Sequence, residues 1–178
     1  MKPSKQIIDA LLKESGKSRL AIAFCPYKMA MWDCMEPVYV EAVNRPGIRA
    51  EIIPLNFITY PDGRINNERN AFMNAGFEAL PLKALHDNHY DYIIIHYPYD
   101  DHNNVTSMTP ECCSDRLRQE GKLVYIPYHG NIAGPEYCRF FDKAGVHNSD
   151  YICLGSDADV ESFRKTVPGY SGKIIHTA

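Results

Sequence analysis

Six short strand-forming runs alternate with segments of helical periodicity along this 178-residue chain. The runs span residues 19–24, 49–54, 90–96, 122–126, 151–154 and 173–175. Strands that alternate with helices form parallel sheets whose two faces are both covered by helices. The sequence therefore predicts one α/β domain over residues 1–178, a Rossmann-like three-layer structure with a mostly parallel sheet.

Helices are predicted between these runs, over residues 5–14, 32–43, 70–75, 110–119 and 158–166, and over part of 135–144. Gly16 is expected to end the first helix, and Pro37 to lie in the first turn of the second. Thr109 is a candidate cap for the 110–119 helix, with Pro110 at its first position. Residues 56–70 surround a Tyr-Pro-Asp-Gly turn and are predicted to form a long loop.

Composition excludes some classes of function. Lys and Arg number 19, Asp and Glu number 22, and the resulting charge of −3 argues against nucleic-acid binding. The six cysteines are scattered, which favours buried thiols in a reducing compartment over a disulfide framework or a structural metal. The first apolar stretch, residues 7–12, is too short to span a bilayer. We expect a cytoplasmic protein, with peripheral contact at the inner membrane face as an alternative, and no cofactor.

Ligands of open parallel sheets bind outside the carboxyl ends of the strands, so the site should lie in the loops after them. The predicted substrate-binding residues are Tyr27, Lys28, His96, Tyr97, Tyr99, Asp100, Asn103, Tyr128, Gly130 and Ser156. The chain has neither a Gly-x-Gly-x-x-Gly turn nor a P-loop. Lys28 with the helix after it could hold a phosphate, or it could be a solvated lysine beside a core Trp32.

Two loops that contain histidines are candidates for a metal site or a general base. In residues 96–104, carboxylates and imidazoles could bind a metal. However, Asp100, Asp101 and His102 are consecutive, so their side chains are expected to point in different directions, which is poor geometry for metal ligands. Substrate contact or turn formation is therefore preferred there to a metal site. His129 follows a strand and precedes Gly130, which allows close backbone approach. It is a candidate general base, and the alternative is a histidine that caps strand-end carbonyls.

Several of these segments resemble one protein family. The quoted motifs are Pro26-Tyr-Lys-Met-Ala-Met-Trp-Asp33, His96-Tyr-Pro-Tyr-Asp100, His129-Gly130, Ser149-Asp-Tyr-Ile-Cys-Leu-Gly-Ser-Asp157, Glu161-Ser-Phe-Arg164 and Tyr170-Ser-Gly-Lys-Ile-Ile175. In order and spacing they are similar to the first domain of bacterial CDP-glycerol glycerophosphotransferases, the teichoic-acid primases and polymerases of the cell wall. The resemblance covers most of the chain from about Arg19 onward.

The resemblance implies a two-domain GT-B fold, in which the first domain faces a phosphorylated glycerol or polyol acceptor. A second domain holds the CDP-glycerol donor, and this chain stops at Ala178, before the segment where that domain begins. His129 would be the catalytic base that deprotonates the acceptor hydroxyl, which attacks the β-phosphate and expels CMP. The isolated chain is then expected not to turn over, and to self-associate through its docking face.

Two other functions stay open at this point. The chain could be half of a GT-B-like glycosyltransferase that uses a sugar nucleotide, which release of UDP or GDP instead of CMP would reveal. It could also be a non-enzymatic module that binds a phosphorylated polyol polymer or a partner domain, in which case it would bind without turnover.

Overall fold

The computed structural model describes residues 2–101, 105–128 and 138–177, with residues 138 and 139 described by their backbone alone. The strands of these ranges are β1 (Leu20–Phe24), β2 (Ile48–Ile52), β3 (Phe57–Thr59), β4 (Arg64–Asn66), β5 (Tyr92–Ile95), β6 (Thr106–Met108), β7 (Lys122–Tyr125), β8 (Tyr151–Leu154) and β9 (Lys173–His176). The helices are α1 (Pro3–Ser15), α2 (Glu36–Val43), α3 (Arg69–Asn74), α4 (Ala84–Asp87), α5 (Ser114–Glu120), α6 (Cys138–Phe141), α7 (Ala144–His147) and α8 (Asp157–Thr166).

The predicted parallel sheet is confirmed. Six strands lie in the order β2-β1-β5-β7-β8-β9, and every neighbouring pair is parallel. Phe24 is in register with Ile52 on one side and with Ile94 on the other. Because the registers are nearly level, the loops that leave these strands start from one edge of the sheet.

Both faces of the sheet are buried, as the continuous apolar runs require. Side chains alternate along each strand, so Ala23 and Ile93 belong to one core cluster. Ile22 and Ile94 belong to the cluster on the opposite face, where α1 and α2 pack. Gly16 ends α1 in a left-handed conformation with φ of 62°, as predicted.

Two aspartates fix the opposite, amino edge of the sheet. The carboxylate of Asp91 accepts the Ala21 N–H at 2.8 Å, and that of Asp150 accepts the Leu123 N–H at 2.8 Å. Each therefore satisfies the N–H of the second residue of a neighbouring strand, near the start of β1 and of β7.

The prediction of a long loop over residues 56–70 is wrong. This segment contains a β-hairpin, formed by β3 and β4, and the start of α3. Strand β3 also pairs antiparallel with β6, which gives a small sheet of order β4-β3-β6. Phe57 and Met108 are paired and buried on its inner face, whereas Ile65 of β4 is 65% exposed.

The prediction of a continuous helix over residues 110–119 is also wrong. Pro110–Cys112 form a 3-10 turn, Cys113 is extended with ψ of 148°, and α5 starts only at Ser114. The Thr109 side chain does not cap the turn. The helix predicted over residues 32–43 is likewise divided into a 3-10 turn, Met29–Cys34, and α2, with Pro37 in the first turn of α2 as expected.

The helix predicted over part of residues 135–144 is present as α6 (Cys138–Phe141). Residues 135–137 lie outside the described ranges. Within those ranges, none of the helices combines the length and the apolar composition that crossing a bilayer requires.

Candidate functional site

The loops that follow β1, β5 and β7 meet at the carboxyl edge of the sheet, as predicted. The backbone N–H of Tyr27 donates a hydrogen bond to Nε2 of His96, with 2.8 Å between the nitrogens. The His96 ring in turn lies edge-to-face with the ring of Tyr128, at a centroid distance of 6.1 Å. The buried imidazole thus joins all three loops.

Four rings from three segments form an aromatic platform at this edge, consisting of Tyr27, Phe57, Tyr97 and Tyr99. The Tyr27 and Tyr97 rings are stacked with centroids 4.2 Å apart, and Phe57 contacts Tyr27 edge-on at 4.6 Å. Tyr99 lies 5.1 Å from Tyr97. Tyr27, Phe57 and Tyr97 are buried and support the platform, whereas Tyr99 is half-buried at its surface.

Lys28 lies on this platform. Its ammonium nitrogen is 4.9 Å from the centroid of Tyr27 and 5.3 Å from that of Phe57, within the range of cation–π attraction. Its side chain is half-buried, and no carboxylate of the described residues lies within ion-pair distance of it. A cation held on ring faces without a carboxylate partner has its charge available for an anion.

A second lysine reaches the platform from a distant part of the chain. Lys143, which directly precedes α7, places its ammonium nitrogen 5.8 Å from the Tyr99 centroid. Sequence reasoning did not select Lys143, because it follows no strand of the parallel sheet. The platform therefore carries one cation on Tyr27 and another on Tyr99.

The environment of His96 fixes its protonation. The side chain is completely buried, and this desolvation lowers its pKa from the ordinary 6.5 to about 3. Nε2 accepts the Tyr27 N–H, so the ring proton of the neutral form lies on Nδ1. Among the described residues, Nδ1 has no hydrogen-bond partner. His96 is thus a neutral structural acceptor near physiological pH.

The two accessible phenols at this edge stay protonated. Burial raises the pKa of Tyr128, and it raises the pKa of Tyr99 as well. The two phenols also share a hydrogen bond. Neutral phenols can donate hydrogen bonds to an anion without repelling it.

Asp100 is engaged in local structure. Its carboxylate accepts the Ser114 N–H at 3.0 Å and the Ser114 hydroxyl at 2.6 Å, so it satisfies the start of α5. Burial raises its pKa despite these hydrogen bonds. Cys113 and Asp115 bring ligand atoms within 4.8 Å of the carboxylate, but both of its oxygens already accept hydrogen bonds. Its predicted contact with substrate stays a prediction.

Ser156 lies at the start of α8. Its hydroxyl oxygen accepts the Asp159 N–H at 3.1 Å and donates to the Asp159 carboxylate at 2.6 Å. This is the hydrogen bonding of a helix N-cap. The predicted residues His129, Gly130 and Asn103 lie outside the described residues, so their roles stay predictions.

Phe57 is a site residue that sequence reasoning missed. It was placed in the loop over residues 56–70, whereas it lies on β3 and forms part of the platform. The signal was present in the sequence: Phe57-Ile-Thr59, the turn Tyr60-Pro-Asp-Gly63 and Arg64-Ile-Asn66 have the order of a hairpin.

A cleft of about 610 Å³ lies at the amino edge of the sheet, beside His86, Tyr90 and Arg118. Two of its basic side chains lie near carboxylates, whereas Lys122 lies 6.0 Å from the Tyr151 centroid and has no ion-pair partner among the described residues. Nδ1 of His86 lies 2.7 Å from the Glu120 carboxylate, and Arg118 lies 3.7 Å from that of Asp150. The carboxyl edge is the better candidate for an anion site, because open parallel sheets bind their ligands there and Lys28 has no carboxylate partner among the described residues.

Comparison of the chain with protein-family models, with curated proteins and with solved structures gives no match. The resemblance to glycerophosphotransferases thus rests on the short motifs alone, and the family assignment stays a hypothesis.

Proposed function

We propose that this domain is the acceptor-side half of a CDP-glycerol-dependent glycerophosphotransferase, which acts in the synthesis of teichoic acid or a related cell-surface polymer. The observation that carries the proposal is Lys28, a cation without a carboxylate partner among the described residues, held on two ring faces at the carboxyl edge. That edge is where open α/β sheets bind their ligands.

An anionic ligand with hydroxyl groups suits the surroundings of Lys28. The ammonium group supplies charge for a phosphate, as lysines commonly do at phosphate sites. The protonated phenols of Tyr99 and Tyr128 add neutral hydrogen-bonding groups nearby. The half-buried ring of Tyr99 can also pack against the C–H groups of a polyol. A phosphorylated glycerol or polyol combines these features.

The buried histidine of the site is a poor choice for the base of the transfer. His96 is inaccessible, its Nε2 already accepts a hydrogen bond, and its pKa near 3 makes it a weak base. The base assigned through the family resemblance is His129. In that reaction the acceptor oxygen bonds to the β-phosphorus of CDP-glycerol and the bond to CMP breaks. The proton of the acceptor hydroxyl passes to His129.

The binding half of the proposal is tested by calorimetric titration of this chain with glycerol 3-phosphate. Lys28→Gln should weaken binding by about tenfold or more, because a hydrogen bond to a charged group contributes roughly 1.5 kcal/mol or more. Lys165→Gln is the matched control, since Lys165 is exposed on α8 and paired with Glu161. Equal affinities of the two variants would contradict the role given to Lys28.

The catalytic half is tested with the complete gene product and CDP-glycerol. We expect release of CMP and transfer of glycerol phosphate, with loss of both in His129→Ala. Release of UDP or GDP from a sugar nucleotide would instead identify a glycosyltransferase. Binding of glycerol phosphate without turnover of any donor would identify a non-enzymatic module.

A further inference from the structure

We infer that Phe57 is a positioning residue of the anion site, which holds the Lys28 ammonium group in place through its ring face. The inference rests on the proposed function in one respect, namely that Lys28 contacts the phosphate of the ligand. Sequence reasoning did not place Phe57, or the hairpin that carries it, in the site.

The rings of Phe57 and Tyr27 both face the ammonium group of Lys28. The ammonium nitrogen of Lys28 lies 5.3 Å from the Phe57 centroid and 4.9 Å from the Tyr27 centroid. The two rings meet edge-on at 4.6 Å with an interplanar angle of 65°. They therefore form two walls of a corner, and the cation lies within reach of both ring faces.

The Phe57 ring is held in one position by its strand and its surroundings. Phe57 is 2% exposed, and its strand β3 is paired on both sides, with β4 and with β6. The chain just before β3 is tied to the loop after β1, because Leu55 N–H donates to the Pro26 carbonyl at 3.0 Å. Because two strands and this loop hold the ring, the ring cannot move with the lysine side chain. The position of the ring therefore sets the conformation of the lysine side chain.

Holding the lysine over the rings lowers the conformational entropy that its side chain loses when a ligand binds. An unrestrained lysine samples many rotamers, and a ligand must order it on binding. A side chain held over two rings is already ordered. Less free energy is then spent on ordering it when the ligand binds, so the charge–charge attraction contributes more to the affinity. Phe57 therefore acts on the ligand through Lys28 and does not itself touch the phosphate.

A double-mutant cycle tests this coupling, with glycerol 3-phosphate and inorganic phosphate as probes of the 178-residue chain. Phe57→Leu keeps an apolar side chain and removes the ring. It should weaken binding about two- to fivefold, the effect of one partly exposed cation–π contact. In a Lys28→Gln background the same change should have no effect on affinity. Phe72→Leu is the matched control, because Phe72 is a buried phenylalanine that packs on Trp32 in the other core cluster.

A second measurement needs no ligand. The ε-methylene protons of Lys28 should resonate upfield of those of the exposed Lys165, because ring currents act on protons above a ring face. Phe57→Leu should reduce that displacement, and Phe72→Leu should leave it unchanged. If Phe57→Leu does not fold, the wild-type spectrum alone still decides whether Lys28 lies over the rings.

The outcomes separate the inference from the proposed function. An undisplaced Lys28 resonance, or equal effects of Phe57→Leu in both backgrounds, would overturn the inference even if glycerol 3-phosphate binds. A displaced resonance with no binding of either probe would overturn the proposed anion site, and with it the ligand role of Phe57. A displaced resonance with coupled affinities supports both.

Discussion

Replacing His96 by glutamine should flatten the dependence of stability on pH. Nε2 of His96 accepts the buried Tyr27 N–H, and burial lowers the pKa of the ring from 6.5 to about 3. The folded protein therefore keeps a neutral ring at pH values where the unfolded chain takes up a proton. As the pH falls from 6.5 towards 3, proton uptake by the unfolded chain lowers the free energy of unfolding.

The size of the effect follows from the shift. Each pH unit between the two pKa values lowers the free energy of unfolding by about 1.4 kcal/mol. Between about pH 6.5 and about pH 4.5, His96 alone should account for a loss of roughly 2 kcal/mol. Above pH 6.5 its contribution is fully present.

Urea unfolding at about pH 7, 5.5 and 4.5 measures this contribution as a difference between variants. Glutamine can place an acceptor near the position of Nε2 but does not titrate, so His96→Gln should lose about 2 kcal/mol less than the wild type at the lowest pH. His96→Leu does not titrate either, and it should be roughly 1–3 kcal/mol less stable than His96→Gln at every pH, because the Tyr27 N–H is left unsatisfied. Equal pH slopes for the wild type and His96→Gln would show that His96 does not cause the pH dependence of stability.

Two further substitutions test the structure around the site by thermal or urea unfolding. Asp100→Ala should destabilise the protein by about 1–2 kcal/mol through loss of the cap at the start of α5, whereas the exposed Asp101→Ala should change little. Equal stability of the two variants would contradict the capping role. Gly145→Ala should destabilise the protein by about 1–3 kcal/mol, because a Cβ there would lie 2.9 Å from the Pro98 backbone. Gly169→Ala, where a Cβ would meet nothing within 4 Å, is its control, and equal losses would contradict the close packing.

The sheet could be predicted from the sequence because each of its strands carries a local signal. Residues 92–95 and 151–154 are buried on both faces, so their patterns are apolar without interruption. Ligands of open parallel sheets bind at the carboxyl ends of the strands. This rule, the edge rule, predicted without knowledge of any contact that Tyr27, His96 and Tyr128 lie at the same edge. That part of the site follows from topology.

The small antiparallel sheet could not be predicted in the same way. Its strands are three residues long, and β4 is mostly exposed, so little apolar periodicity marks it. The break at Cys113 was missed because helix propensity continues through it. The start of α5 is set by the carboxylate of Asp100, 14 positions earlier in the chain. Such a tertiary contact leaves no local pattern.

The same limit explains the missed members of the platform. Phe57 and Lys143 join it through contacts with Tyr27 and Tyr99, from segments far away in sequence. Lys143 follows no strand of the parallel sheet, and Phe57, which comes shortly after β2, was passed over because only polar residues were sought after the strands. The rule locates the site, and the small sheet and the segment before α7 complete it.

The central claim is that the carboxyl edge binds a phosphorylated polyol through Lys28. Mapping of backbone amide chemical shifts during titration of the chain with glycerol 3-phosphate tests it most directly. We predict the largest changes at Tyr27, Lys28 and the neighbouring residues of the loop after β5, and their loss in Lys28→Gln. Changes centred on Arg118 and Lys122 in the amino-edge cleft, or no saturable change at all, would contradict it.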